Sequence, residues 1–182
     1  ADPPSFEQAP SIAGRFRIEA PLGKGGAAHL FQVLDVARQQ RLALKLLPRT
    51  SHEKLRELFE LEYQTLASLK HPHTVEVYEL GRDERGDFYT MELLQGEDLS
   101  GCAPVPWRAA CDYLRDASEA LGLLHARKLI HRDVSPKNLW RCSDGRVKLI
   151  DFGALAAFGR TTHVIGTPPF VPPEALELRG LD

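Results

Sequence analysis

A chain of 182 residues, 43% hydrophobic and 26% charged, has the composition of an ordinary globular protein and is long enough for one domain or two small lobes. Its net charge of −2 offers no broad positive field to nucleic acid or an anionic membrane. No run approaches the roughly 18 apolar residues of a transmembrane helix, and no signal-peptide pattern opens the chain.

The three cysteines, Cys102, Cys111 and Cys142, are odd in number and make no C-x-x-C pair, which predicts a reduced, cytoplasmic protein whose thiols are small core residues. Residues 1–14 begin ADPPSFEQAPS, rich in proline and polar side chains, and read as a flexible lead-in. Residue 1 is Ala and the only methionine is Met91, which fits either methionine excision or a segment cut from a longer chain.

RFRIEAPL (15–22) alternates as a strand does, and GKGG (23–26) interrupts it. AHLFQVLDV (28–36) and LALKLL (42–47) follow, and three strands joined by turns predict an antiparallel meander. From Thr50 the period becomes helical. Thr50 and Glu53 have capping-box spacing, and Leu55, Leu58, Phe59, Leu66 and Leu69 fall on one face with Glu62 among them. A carboxylate on a core-facing stripe needs a cation, because an unpaired buried charge is costly.

HPHTVEVYEL (71–80) and DFYTMELL (87–94) read as two further strands, and a polar connection, QGEDLSGCAPVP, follows. The second clear helix covers 107–128, with Trp107, Ala110, Leu114, Ala117, Leu121 and Leu124 along its inner stripe. Strands in the first half, and a helix with short hairpins in the second, predict an α+β protein in two lobes, about 15–94 and 95–182.

LIHRDVSPKNLW (129–140) sets Arg132, Asp133, Lys137 and Asn138 among Leu129, Ile130 and Trp140. Asp-Gly in the following Ser143–Arg146 turn predicts a two-residue hairpin, pairing Cys142 with Val147 and Trp140 with Leu149. That register sets Asn138 beside Asp151, with Asp133 just upstream. Two oxygen ligands suit a hard cation that keeps phosphate oxygens for the rest, leaving one carboxylate as a base. The alternative is a hairpin mouth satisfied by its own hydrogen bonds.

Gly23, Gly25 and Gly26 join two strands where backbone N–H groups can approach phosphate, or they simply make a turn. Lys45 alternates with Leu44 and Leu46 and so faces the other side of its strand. There it meets Glu62 and a phosphate, or it is a solubilising edge lysine.

In this order and nearly this spacing, the residues resemble the protein-kinase family over about 15–182, and GKGGAAHL with HRDVSP looks most like bacterial Ser/Thr kinases of the eukaryotic type. GKGGAAHL is similar to the glycine-rich loop, LALK to the strand bearing the ATP lysine, HRDVSPKN to the catalytic loop, DFG (151–153) to the metal motif, and PPE (172–174) to A-P-E. The resemblance implies a two-lobed kinase fold, with a small antiparallel sheet and one helix followed by an incomplete helical lobe.

It further implies ATP and Mg²⁺ as cofactors and a protein substrate with a Ser/Thr acceptor, with self-association possible for autophosphorylation. Lys45, positioned by Glu62, would hold the α/β-phosphates, Asp133 would accept the substrate proton, and Asn138 and Asp151 would ligate Mg²⁺. Leu22, Gly23, Gly25, Gly26, Leu30, Ala43 and Trp140 would border the nucleotide. Met91 would be the gatekeeper, Glu92 and Leu93 would offer hinge backbone, and Asp98 would reach the ribose. Thr167 matches the threonine of Ser/Thr kinases, and Arg132 implies control by phosphorylation at Thr161 or Thr162.

The chain departs from the family at several positions. Ala28 replaces the third loop glycine and Leu30 the usual valine. Ser135 stands where a phosphate-contacting lysine is usual, with Lys137 two residues on as a substitute. Trp140 replaces a smaller residue beneath adenine. The sequence stops eight residues after Glu174, so the resemblance predicts a fragment of a longer kinase with uncovered apolar surface on the 107–128 helix. A pseudokinase and a small-molecule phosphotransferase are the competing readings. His71 and His73 read as a structural turn, and His131 as a brace for the catalytic loop.

Overall fold

In the computed structural model, which describes residues 11–160, 165–176 and 180–181, side-chain alternation across a sheet organises most of the first half of the chain. The chain divides into two units. One holds residues up to Ala67 together with Glu76–Leu93, and the other holds Ser68–Val75 and the residues from Leu94 onward.

The first unit is an antiparallel sheet of β1 (Ser11–Ile12), β2 (Phe16–Gly25), β3 (Ala28–Asp35), β4 (Gln40–Pro48), β5 (Val77–Arg82) and β6 (Gly86–Met91), in the order β1-β2-β3-β4-β6-β5. One face packs Ile12, Phe16, Val33, Leu42, Leu44, Leu46 and Phe88 into a buried cluster. Helix α1 (Glu53–Ser68) buries Phe59, Glu62 and Leu66. The expected meander is therefore the middle of a larger sheet.

Residues 11–14 are not a loose lead-in. β1 pairs with β2, Ile12 is fully buried, and the Ala13 N–H donates to Asp83 Oδ2 at 2.9 Å. GKGG does not interrupt its strand either, because β2 continues to Gly25, which pairs with Ala28. The two-residue turn between them has positive φ (+55°) at Gly26, the kind of backbone that closes a tight hairpin without splaying its strands.

In α1 the Thr50–Glu53 capping box does not form. The helix starts at Glu53, and the His52 carbonyl accepts the Leu55 N–H while its ring Nδ1 accepts that of Lys54. Leu55 and Leu58 are exposed, contrary to the expected stripe. The buried positions 59, 62 and 66 define a narrower face: Leu58 lies about 100° around the helix from Phe59, and Leu55 sits in the overhanging first turn.

In the second unit β7 (Gly96–Asp98), β9 (Leu139–Cys142) and β10 (Val147–Leu149) form a sheet in the order β10-β9-β7. β8 (Leu129–Ile130) pairs with β11 (Ala156–Ala157), and β12 (Gly159–Arg160) pairs with β13 (Gly180–Leu181). Helix α2 (Trp107–Ala126) packs against β8 and β10 and buries Asp116, Ala117, Ala120 and Leu124. A short α3 (Pro173–Leu176) follows a 3₁₀ turn at Pro168–Phe170.

Trp107 and Leu114, assigned to the inner stripe of α2, are 69% and 61% exposed. The buried stripe instead centres on two alanines and Asp116, whose Oδ2 accepts the Val147 N–H at 3.0 Å, so the helix turns its small side chains to β10. Residues 71–76 form no strand: Pro72 and His73 are a turn, and Thr74 makes one isolated bridge, to Leu149. The His71 ring Nδ1 accepts the His73 N–H at 3.2 Å, and His73 Nδ1 bonds the Val147 carbonyl at 2.8 Å. That is the structural turn expected of this pair. The cysteines are not core residues, since Cys111 is exposed and Cys102 and Cys142 are half-buried.

The β9–β10 register differs from expectation by one residue. Val147 pairs with Arg141, Lys148 with Trp140 and Leu149 with Leu139. The loop has three residues, Ser143–Gly145, closed by Cys142 N–H to Arg146 O at 2.8 Å, with Gly145 at φ +88°. Asp-Gly supports this three-residue turn, with glycine in the left-handed region, as well as the two-residue one. A slip of one residue exchanges faces, so the residue that meets Asn138 is Ile150, whose N–H donates to the Asn138 carbonyl at 2.9 Å, rather than Asp151.

Candidate active site

In the first unit, Lys45 on β4 lies between Leu30 on β3 and Tyr89 on β6. Its neighbours Leu44 and Leu46 point into the buried cluster, so alternation turns the ammonium to the opposite face. There Lys45 Nζ meets Glu62 of α1 at 2.7 Å to Oε1 and 2.9 Å to Oε2. The side chains are 14% and 6% exposed, so both charges are largely out of water and each depends on the other.

The Tyr89 hydroxyl donates a further hydrogen bond to Glu62 Oε1 at 3.1 Å. Tyr89 was not foreseen, although its parity with Met91 on one strand was a usable signal. Ala43 and Met91 are buried cross-strand partners, Leu30 is half-buried, and Leu22 is 44% exposed. Gly23, Gly25 and Gly26 form the hairpin end of β2. Past β6 the chain is tied by the Glu92 N–H to Glu76 O at 2.9 Å, and the Glu92 carboxylate accepts the Glu76 N–H at 2.8 Å. Leu93 follows, half-buried.

In the second unit, Asp133 sits in the loop between β8 and a 3₁₀ turn at Pro136–Asn138. Asn138 Nδ2 donates to the Asp133 backbone oxygen at 2.8 Å and to its Oδ2 at 2.9 Å. The Thr167 N–H and hydroxyl both donate to Asp133 Oδ1 at 2.8 Å. His131, 1% exposed, accepts the Asp133 N–H on Nδ1 at 3.3 Å and stacks edge-on with Phe152 at 5.1 Å. Burial pushes the His131 imidazole pKa below its ordinary range.

Arg132, at φ +65°, donates through Nε to the Ala154 carbonyl at 2.5 Å, and burial lowers its pKa from the usual value. Asp151 is exposed, holds φ +58°, and accepts the Gly153 N–H on Oδ1 at 3.3 Å. The same left-handed backbone occurs at Ala13, Gln39 and Lys128, in turns of the fold.

The remaining expected residues are placed as follows. Lys137 is exposed on the 3₁₀ turn. Asp98 on β7 pairs across the sheet with Trp140, and its Oδ1 accepts the Ser100 N–H at 2.8 Å. Trp140 is half-buried, and its indole N–H and the hydroxyl of the buried Ser135 have no hydrogen-bond partner among the described residues. Thr161 and Thr162 lie outside the described residues.

The donor set suits a hard cation. Asn138 spends its amide N–H₂ on Asp133 and keeps its amide oxygen as an acceptor, and Asp151 has an exposed carboxylate. Among the described residues no three His, Cys, Asp or Glu side chains form a metal cluster, and no helix is long and apolar enough to cross a membrane.

Residues 16–182 match the protein kinase domain family. The chain is 32% identical over 184 residues to the DNA damage-responsive serine/threonine-protein kinase RqkA of Deinococcus radiodurans, covering 94% of this chain and 28% of that protein. It is 34% identical to the serine/threonine-protein kinase PknL of Mycobacterium tuberculosis, covering 90% of this chain and 44% of the relative. For PknA of the same species the identity is 31%, over 90% of this chain and 42% of the relative. The chain thus spans less than half the length of each of these proteins.

Proposed function

This chain belongs to the protein kinase family, and from that membership we propose that it transfers the γ-phosphoryl group of ATP to serine or threonine hydroxyls of a protein, with Mg²⁺. The observation that carries the reading is the Asp133 carboxylate, held at Oδ2 by Asn138 and at Oδ1 by Thr167. A carboxylate fixed on both oxygens is oriented before substrate arrives, and orientation is most of what phosphoryl transfer asks of a protein.

In this reading Asp133 accepts the proton of the attacking hydroxyl. Lys45, fixed by Glu62, binds the α/β-phosphates, and the hairpin of Gly23, Gly25 and Gly26 offers backbone N–H groups to the phosphates. In the family's pattern Leu22, Leu30, Ala43 and Met91 of the first unit, and Trp140 of the second, are each adenine-binding positions. The backbone of Glu92 and Leu93 bonds the base, and Asp98 takes the ribose. Asn138 and Asp151 would hold Mg²⁺, which when bound supplies charge neutralisation at the phosphate oxygens. Lys137, exposed one residue before Asn138, supplies the cation that Ser135 does not.

The same reading sets the protein in the cytoplasm, with a second copy as one possible substrate. Thr167 favours a polypeptide acceptor, because its hydroxyl ties the segment before α3 to the base. The test is phosphate transfer from labelled ATP to Ser, Thr and Tyr peptides and to small alcohols, by the wild type and by Asp133→Asn. Transfer to Ser or Thr peptides by the wild type alone supports the reading. Transfer to small alcohols only, or equal transfer by both proteins, overturns it.

A further inference from the structure

Glu62 receives more than its lysine. Tyr89 lies directly across the β4–β6 ladder from Lys45, so the two side chains rise from the same face of the sheet. The tyrosine is 1% exposed, packed against Phe59 at 4.9 Å and Tyr63 at 5.8 Å between ring centroids, both on α1. From that seat its hydroxyl reaches Glu62 Oε1 at 3.1 Å, the same oxygen that Lys45 Nζ approaches at 2.7 Å. Lys45 Nζ also lies 5.9 Å from the centre of the Tyr89 ring.

Apolar packing on α1 would be served as well by phenylalanine. A phenol sunk in an apolar seat is costly to bury unless its hydroxyl finds a partner, and here the partner is the carboxylate that sets the lysine. The hydroxyl also answers a physical need. A carboxylate almost out of water has more lone pairs than one ammonium can satisfy, and a carboxylate short of donors rotates to find them.

We propose that Tyr89 is a positioning residue for Lys45, acting through Glu62: its hydroxyl fixes the rotation of the Glu62 carboxylate and so the place of the ammonium. The proposal rests on the assignment of Lys45 to the phosphates for its effect on activity, but not for its effect on the lysine itself. The ring anchors α1, and the hydroxyl sets the geometry of the ion pair.

The test separates ring from hydroxyl. Tyr89→Phe keeps the ring, and Tyr89→Leu, which also loses the aromatic contacts, controls for packing. Labelling of Lys45 by an amine-reactive reagent, read by peptide mass spectrometry on the intact chain, reports the ion pair whether or not the protein is an active kinase. Tyr89→Phe should label Lys45 several-fold faster than wild type, should lower the melting temperature less than Tyr89→Leu does, and should add nothing in a Glu62→Gln background.

If the kinase reading holds, Tyr89→Phe should also lower kcat/KM for ATP about tenfold, with KM for the acceptor unchanged. Wild-type labelling in Tyr89→Phe, or an effect that adds fully to that of Glu62→Gln, would overturn the proposal. Altered labelling in a protein without kinase activity would leave the positioning role standing and remove the kinase reading instead.

Discussion

The Thr167 hydroxyl donates to Asp133 Oδ1 at 2.8 Å across 34 residues of sequence, tying the segment before α3 to the loop before the 3₁₀ turn. A hydrogen bond to a charged group contributes about 1.5–3 kcal/mol, roughly ten- to a hundredfold in a rate that depends on it. Thr167→Val should therefore lower kcat by about that factor, while Thr167→Ser, which keeps the hydroxyl, should stay within about threefold of wild type. Steady-state kinetics with a Ser peptide decide it. A loss in Thr167→Ser that Thr167→Val does not share would point to packing of the methyl group instead.

The Lys45–Glu62 pair makes a prediction about folding as well as chemistry. Lys45→Met leaves a carboxylate that is 6% exposed without its ammonium, and should cost about 3–5 kcal/mol in urea unfolding. Adding Glu62→Leu to that variant should recover much of the loss, because removing both charges also removes the cost of desolvation. Neither variant should transfer phosphate.

Acid should act on the first unit through Asp35. This fully buried carboxylate receives Arg15 Nε at 2.9 Å and NH2 at 2.5 Å, and Arg15 also binds Glu79 at 2.8 Å. The Arg15 hydrogen bond holds the Asp35 pKa below the usual carboxylate range, despite burial acting the other way. A depressed native pKa means that the unfolded chain takes up this proton first as pH falls. The stabilisation is thus fully present above the unfolded value of about 3.9 and is lost as pH falls from there through the native value. Unfolding midpoints between about pH 2 and 7 should fall in that acid window for wild type, and more shallowly for Asp35→Asn.

Two glycines of the second unit should differ sharply. At Gly96, φ is +137° and an added Cβ would stand 2.0 Å from the Arg141 carbonyl oxygen, so Gly96→Ala must open the β7–β9 ladder. At Gly145, φ is +88° with open space around it, and Gly145→Ala should cost only about 1 kcal/mol of backbone strain. Thermal melting should show the first variant far below the second.

Much of this was legible from residue order, and the failures have physical causes. Strand parity put Lys45 opposite the apolar cluster, and the helical period put Glu62 on a buried face, so their pairing followed from a demand for charge balance. The β9–β10 register was misread because Asp-Gly serves both two- and three-residue turns, and only tertiary pairing decides between them. Leu55, Leu58, Trp107 and Leu114 fit an apolar period, yet what covers a helix face is set by neighbours that the period does not name. Asp116 escaped notice because its partner is a backbone N–H on a strand 31 residues away. Tyr89 escaped because an aromatic on a strand reads as packing until its hydroxyl is traced.

If Asp133 serves phosphoryl transfer, intact mass will register it. The chain and its Asp133→Asn variant would each be weighed before and after incubation with Mg-ATP and a Ser/Thr acceptor protein. Phosphate, ~80 Da per group, is expected on the acceptor or on the chain itself with the wild type and none with Asp133→Asn. Equal phosphate with both proteins, or none with either, would contradict it.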